Sequence, residues 1–320
     1  MSFCLNNKFL FFLLIIFAIL SIFVGVIHIP ITQILNFNKD QIDILIISRI
    51  PRTIGIIISG MSLSICGLIM QQLTQNKFVS PTTAGTMDCA KLGILVCMIF
   101  FIDLSFINQI LIASIFALVG SLIFIQILNK IKFKDIIFVP LIGIMFGSII
   151  NSITIFFAYQ LNLIQNIQGW LQGNFSNLMQ GSYEPLFISI PLLLLAYLYA
   201  NKITIIGMGK DITLNLGLSY NFILNIGLII VSIISSVVIL TAGVIPFLGL
   251  IIPNIVSIYK GDNFKKNIYT IILLGSVFLL FCDIISRIII APFEIPISLT
   301  VGILGSFIFI LILLKKSYYA

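Results

Sequence analysis

The sequence predicts an all-α, polytopic membrane protein with about ten transmembrane helices, and three observations carry that prediction. Hydrophobic side chains make up 60% of the 320 residues and charged ones 8%, where soluble domains hold roughly 25% charged residues. The mean hydropathy is +1.23. The apolar residues lie in long continuous runs without period-two alternation, the pattern of membrane helices rather than barrel strands. At a rise of 1.5 Å per residue, about 20 apolar residues cross the ~30 Å hydrocarbon layer, and the chain offers about ten runs of that order.

The spans are expected at 8–29, 52–73, 89–102, 107–128, 136–158, 186–200, 222–242, 244–259, 267–290 and 296–314. The first follows Lys8 and stays apolar to Ile27. No small-x-small cleavage site follows it and the run is too long for a secretory h-region, so it reads as a retained span with His28 at its end. The second opens at R-I-P-R-T (49–53), where Pro51 suits a first helical turn. The third is short and carries Lys91 near its start. Lys130, Lys132 and Lys134 separate the fourth from the fifth. A segment without Lys or Arg, Tyr159 to Glu184, leads into the sixth, and the seventh follows a partly polar stretch. The eighth holds Pro246 and Pro253 in G-V-I-P-F-L-G-L-I-I-P-N-I, so it is expected to kink or to begin as a broken helix. Asp283 and Arg287 fall inside the ninth, and the tenth ends before Lys315.

Placing the N-terminus in the cytoplasm and alternating sides puts 13 of the 17 basic residues inside. Lys39, Arg49 and Arg52 fall outside and Arg287 within a span. Both termini are then cytoplasmic. The formal charge of +7 sits singly or in small loop clusters, so it marks topology, and nucleic acid is not an expected partner. Spans two to five and seven to ten start in opposite directions, as in inverted-repeat transporters, although any ten-span chain can be cut that way. No linker or polar domain interrupts the chain, which is expected to form a single transmembrane domain over 1–320.

One connection is unlike the others. N-K-I-T-I-I-G-M-G-K-D-I-T-L-N-L-G-L-S-Y, from Asn201 to Tyr220, interleaves Ile212, Leu214, Leu216 and Leu218 with Thr213, Asn215 and Ser219, and Gly207, Gly209 and Gly217 punctuate it. A loop that exposes this much aliphatic surface calls for a covering partner. A short helix along the cytoplasmic membrane face, with its apolar side toward another protein, is expected over about 201–221.

Residues that could carry chemistry are few. Asp283 and Arg287 are spaced i,i+4 with the acid first, the favourable order, and pairing relieves a mid-membrane charge costing roughly 2.5–3.5 kcal/mol. Arg49, Arg52 and Arg287 could snorkel or brace the structure; equally, they could form an outward docking surface for an acidic partner, since arginine pairs bidentately with carboxylates. Asp283 is the only carboxylate expected inside a span, which leaves a proton-coupled secondary transporter of a small metabolite as the alternative function. No catalytic group is expected: no nucleophile–base pairing stands out, and T-I-I-G-M-G-K-D (204–211) lacks the Gly and the Ser/Thr that a phosphate-binding loop needs at its ends. No metal site and no cofactor are expected, because the one His and five Cys (Cys4, Cys66, Cys89, Cys97, Cys282) show no ligand spacing. Uncharged polar residues enter the spans, among them Ser59, Ser62, Ser64, Ser232, Ser235 and Ser236, with Asn151, Ser152 and Thr154 as candidates for lining a pathway. Gly143 and Gly147, four apart, fit helix–helix packing.

Several motifs in one order run almost the length of the chain: R-I-P-R-T at 49–53, S-G-M-S-L-S-I-C-G-L-I-M-Q-Q at 59–72, N-K-F-V-S-P-T-T-A-G at 76–85, W-L-Q-G at 170–173, G-x-x-x-x-x-x-L-G at 209–217, P-F-L-G-L-I-I-P-N-I at 246–255, D-I-I-S-R at 283–287 and P-F-E-I-P-I-S at 292–298. Together they resemble the FecCD-type permease subunits of iron–siderophore and vitamin B12 ABC importers, and the wording around 75–88 looks most like the branch serving catecholate siderophores such as petrobactin and enterobactin. The resemblance implies a type II ABC importer permease in a bacterial cytoplasmic membrane, set among membrane lipid. It implies a second permease (identical or homologous), two ATP-binding subunits that hydrolyse ATP outside this chain, and an extracytoplasmic siderophore-binding protein. It further implies that Arg49, Arg52 and Arg287 meet the glutamates of that receptor, and that Gly209, Lys210, Asp211, Thr213, Leu216, Gly217 and Leu218 couple to the ATPase. Lys210 stands where the family pattern is acidic and Thr213 where it has a small Ala, so the charge pairing of that contact is expected to differ.

Overall fold

A computed structural model describes residues 6–25, 39–101, 104–131 and 137–318. Cys4, His28, Asp103, Lys132, Lys134 and Asp135 lie outside the described residues, as do the side chains of Trp170, Lys315 and Lys316. Every regular element among the described residues is helical. In chain order these are α1 (Asn7–Phe23), α2 (Lys39–Ile44), α3 (Ile50–Leu73), α4 (Thr86–Phe100), α5 (Phe106–Lys130), α6 (Phe138–Gln160), α7 (Ile164–Leu171), α8 (Ser189–Leu198), α9 (Ala200–Ile206), α10 (Lys210–Asn215), α11 (Tyr220–Ala242), α12 (Leu248–Lys260), α13 (Phe264–Ile288) and α14 (Ile297–Tyr318). A π-helical turn at Leu45–Arg49 joins α2 to α3, and a 3-10 turn at Glu184–Ile188 leads into α8.

Among the described residues, five helices are long and apolar enough to cross a membrane: Gln41–Leu73, Phe106–Lys130, Phe138–Gln160, Tyr220–Ala242 and Phe264–Ile288. A sixth is added if Glu184–Leu198 and Ala200–Ile206, bent by 65°, count as one span. This corrects the expectation of about ten spans, and the physical reason is visible at the helix ends. Expected spans one, three and eight fall on helices of 17, 15 and 13 residues, and the apolar helix of the tenth that counts here is Ile297–Ile312, all below the ~20 that a perpendicular crossing needs. The start of α12 is delayed because Phe247 adopts a left-handed conformation (φ 62°) after Pro246, so the chain from 243 to 246 stays out of the helix and Pro253 sits inside it. α4 likewise begins only after Gly85, which is left-handed (φ 75°).

The core forms around α3. Nearly all of its residues from Pro51 to Leu73 are buried, and it packs against α13, α12 and α11. Ile65, Ile69 and Met70 of α3, Ile234 and Val237 of α11 and Leu279 and Cys282 of α13 belong to one continuous apolar cluster. Lipid hydrocarbon is as apolar as leucine, so such helices associate through close packing rather than through exclusion of water. Gly67 shows how close that packing is: a Cβ built there would lie 1.7 Å from the backbone oxygen of Gly249 on α12. At the margin of the bundle α6 leaves Ile144, Met145, Ile149, Phe156 and Phe157 exposed.

Gly67→Ala drives a methyl group into the α12 backbone, which no side-chain rotation can relieve, and should destabilise the chain by about 1–3 kcal/mol. In detergent the thermal unfolding midpoint of this variant should drop. Gly169→Ala, whose Cβ meets nothing within 4 Å, should leave the midpoint unchanged. Equal midpoints for the two variants would mean that the α3–α12 approach is not a constraint.

Candidate functional site

Two ends of the helical bundle carry the residues of interest. At the first, α1 stops at Phe23 and leaves its last carbonyls without intrahelical partners. Two arginines from elsewhere in the chain close on this end, the favourable place for a cation at a helix C-terminus. Arg49 Nη1, on the π turn, donates to Ile22 O at 2.7 Å and Phe23 O at 3.1 Å. Arg287 Nη1, in the last turn of α13, donates to Ser21 O at 2.9 Å and Val24 O at 2.7 Å, and its Nη2 to Ser21 Oγ at 2.5 Å.

The third arginine makes the centre of the network. Arg52 donates from Nε and Nη2 to Asp283 Oδ1, at 3.2 and 2.8 Å, and from Nη1 to Glu294 Oε2 at 2.8 Å. The other carboxylate oxygen of Asp283 is taken by Arg287 Nη2. Asp283 is fully buried and all three arginines are less than 10% exposed. In a medium of low dielectric such charges persist only when paired and fully hydrogen-bonded, and two guanidiniums supply the anion with donors on both sides. Glu294, in the loop before α14, also accepts from Ser176 Oγ at 2.6 Å. Burial alone would raise its pKa, but the Ser176 hydroxyl and the Arg52 guanidinium outweigh that and hold it below the usual carboxylate range.

The arginines named from the sequence are therefore brought together, with Asp283 as their common centre, and their donors point largely inward. Sequence reasoning missed Glu294, Ser176 and Ser21 as members of this network. Glu294 lies between Pro292 and Pro296, a rigid frame for one carboxylate that could have served as a signal. Ser176 and Ser21 carry no local signal at all.

The opposite end holds the stretch from 201 to 221. α8 breaks at Tyr199 and the chain turns into α9, whose Ala200, Ile203 and Ile206 are buried and anchor the elbow. Gly209 (φ 118°) and Gly217 (φ 72°) take backbone conformations that a side chain disfavours, and they bracket α10. Within it Thr213 is fully buried, and its Oγ1 donates to Gly209 O at 2.7 Å. Leu218 packs on the core. Lys210, Asp211 and Leu216 stand outside with Met208, Ile212 and Leu214, and the four apolar side chains are 45–59% exposed. Of the coupling residues expected from the sequence, Thr213 and Leu218 thus shape the elbow from within, and Leu216, Lys210 and Asp211 form its surface. A cleft of about 440 Å³ lies beside it, lined by Gln71, Gln72, Gln75, Thr204, Met208 and Asn267 among others.

The three candidate pathway residues do not share one environment. Ser152 is exposed on α6 and donates to Ser148 O at 2.8 Å. Asn151 is half-buried, and its Oδ1 accepts from Lys91 Nζ at 3.4 Å, the same ammonium that pairs with Asp88 at 2.6 Å. Thr154 is buried against the bundle and donates to Ile150 O. Of the serines, Ser64 Oγ donates to Gly60 O, while the hydroxyls of Ser59, Ser62, Ser232, Ser235 and Ser236 are buried without a partner among the described residues. No group of three or more His, Cys, Asp or Glu side chains placed to hold a metal occurs among the described residues.

Comparison with known proteins agrees with the motifs. The FecCD transport family matches residues 13–315. The petrobactin import system permease protein YclN of Bacillus subtilis is 55% identical over 98% of this chain and 99% of its own length. The ferric-anguibactin transport system permease protein FatD of Vibrio anguillarum is 41% identical over 92% of this chain and 94% of its own. The petrobactin import system permease protein FatD of Bacillus anthracis is 37% identical over 94% and 89%. A solved metal-chelate type ABC transporter in an inward-facing conformation superposes with a TM-score of 0.82 at 19% identity, over 97% of this chain and 98% of its own, and so shares the fold. With a matched profile over nearly its whole length, the chain belongs to the FecCD transport family.

Proposed function

We propose that this chain is the transmembrane permease subunit of an ABC importer that carries a ferric siderophore, of the catecholate type, across a bacterial cytoplasmic membrane. A separate ATPase subunit drives it. The observation that carries the proposal is the elbow from α9 to α10, a glycine-bracketed segment presenting Met208, Ile212, Leu214 and Leu216 to the outside. Exposed aliphatic side chains on a fixed backbone are a docking feature, and this one is joined through α8 and α11 to the core. The relatives named for petrobactin and anguibactin support the cargo class.

In this proposal the chain is one transmembrane unit, in which α1, α4, α12 and α14 pack beside the long spans. Both termini and the elbow face the cytoplasm. Two ATP-binding subunits meet the elbows of two permeases, identical or homologous, and the exposed face of α6 with Asn151 and Ser152 borders the passage between them. The siderophore-binding protein settles on the opposite end, where Arg49 and Arg52 offer positive charge and Arg287 braces them through Asp283. A carboxylate of the receptor would compete with Glu294, which is partly exposed, for Arg52. Charge reversal at Arg52 would set a third carboxylate against Asp283 and Glu294, and so reports on folding before docking.

The proton-coupled alternative asks Asp283 to gain and lose a proton. Its two oxygens already serve two buried guanidiniums, so protonation would leave like charges facing each other in the membrane.

Two measurements test this account. Leu214→Glu combined with Leu216→Glu changes side chains that are more than half exposed, so the chain should fold; co-purification with the ATPase subunit and ATP-driven siderophore uptake should fall about tenfold or more. Uptake at the wild-type rate would remove the elbow from the mechanism. Asp283→Asn strands two buried cations and should lose about 3–5 kcal/mol, seen as little folded protein in the membrane. A well-folded variant that had lost only uncoupler-sensitive uptake would favour the proton-coupled carrier.

A further inference from the structure

Lys8, at the start of α1, and Lys260, Lys265 and Lys266, where α12 ends and α13 begins, flank one junction of the bundle. Asn7 Oδ1 accepts from Thr270 Oγ1 at 2.8 Å and from Lys260 Nζ at 3.3 Å, and Lys260 Nζ also donates to Thr270 Oγ1 at 2.7 Å. These bonds tie the start of α1 to α13 and to the end of α12. Lys8 is the chain neighbour of Asn7. Lys266 stands one helical turn before Thr270, on the same face of α13, and Lys265 is beside it. All four lysines are exposed. The ion pairs among the described residues involve none of them, and the neighbouring carboxylate of Asp262 is bound by Lys77 instead.

Such a cluster attracts an anion, and what continues from it selects which kind. Phe12, Ile15 and Ile19 follow Lys8 at helical spacing and are 61, 42 and 51% exposed. They make an apolar stripe that runs from the lysines along the flank of α1. A free phosphate gains nothing from the stripe. An acidic protein has no access to it within the hydrocarbon layer. A phosphate carrying acyl chains satisfies both features at once, since basic residues at the headgroup level bind anionic lipid while the chains lie against aliphatic and aromatic side chains.

We propose that Lys8, Lys260 and Lys266, with Lys265 at the rim, hold the headgroup of an anionic phospholipid, with one acyl chain lying along Phe12, Ile15 and Ile19. The bound lipid would join α1, α12 and α13 at their common end, as the arginines do at the other end of α1 and α13. The inference rests on the chain crossing a membrane and is independent of cargo, receptor and ATPase.

The test uses the full-length chain in nanodiscs of phosphatidylcholine, with spin-labelled phosphatidylglycerol or phosphatidylcholine as the probe. Wild-type protein should immobilise the phosphatidylglycerol label in preference. Lys266→Gln, at an exposed side chain, should reduce the preference by up to about fivefold. Lys8→Gln, Lys260→Gln and Lys266→Gln together should abolish it, and arginine at the same three positions should restore it. Inorganic phosphate at millimolar concentration should not displace the label. The proposal is overturned if wild type shows no preference, if the triple glutamine variant keeps it, or if inorganic phosphate displaces the lipid.

Discussion

A carboxylate buried in a membrane protein needs donors on every side, and the arginine end of this molecule is built around that requirement. Asp283 receives Arg52 from α3 and Arg287 from its own helix. Each arginine then spends its remaining donors on something further away: Arg52 on Glu294, and Arg287 on the carbonyls that end α1. One buried charge thus fixes the relative positions of α1, α3, α13 and the loop before α14. Removing any member strands another, so the end behaves as a unit. Its partly exposed edge is the Arg52–Glu294 pair.

The other end is organised by the opposite physics. The elbow is held by buried aliphatic anchors and two left-handed glycines, while its outer surface is aliphatic and unsatisfied. Between the ends, α3 transmits position through backbone contact. Where Gly67 meets Gly249 there is no side chain to deform, so displacement of α12 must move α3 as well. Packed cores transmit strain because they do not compress.

The flanks of the bundle divide by what can cover them. α6 offers a wide apolar face with Ser148 and Ser152 along it and the Asp88–Lys91 pair behind Asn151, which suits another protein chain and a wet boundary. α1 offers a narrower stripe above a set of lysines, which suits lipid. The two kinds of exposed apolar surface are told apart by the polar groups that accompany them, since hydrophobicity alone does not distinguish a protein partner from hydrocarbon.

Much of this was legible in the residues. Long apolar runs dictate membrane helices because unpaired backbone groups have no water to turn to, and the i,i+4 spacing of Asp283 and Arg287 places them on one helical face. The glycines of the 201–221 stretch and its interleaved leucines announced an exposed, shaped element. Helix lengths were not legible: composition marks where the chain is apolar, and the left-handed turns at Gly85 and Phe247 decide where a helix can start. Nor was the company that Asp283 keeps, because Arg52, Ser176 and Ser21 are more than a hundred residues away, Glu294 lies in the loop beyond the end of α13, and they meet only when the bundle closes. Local chemistry is written in sequence because it acts over one or two turns. Charge neutralisation in a low-dielectric interior acts through space, so the tertiary structure alone determined its partners.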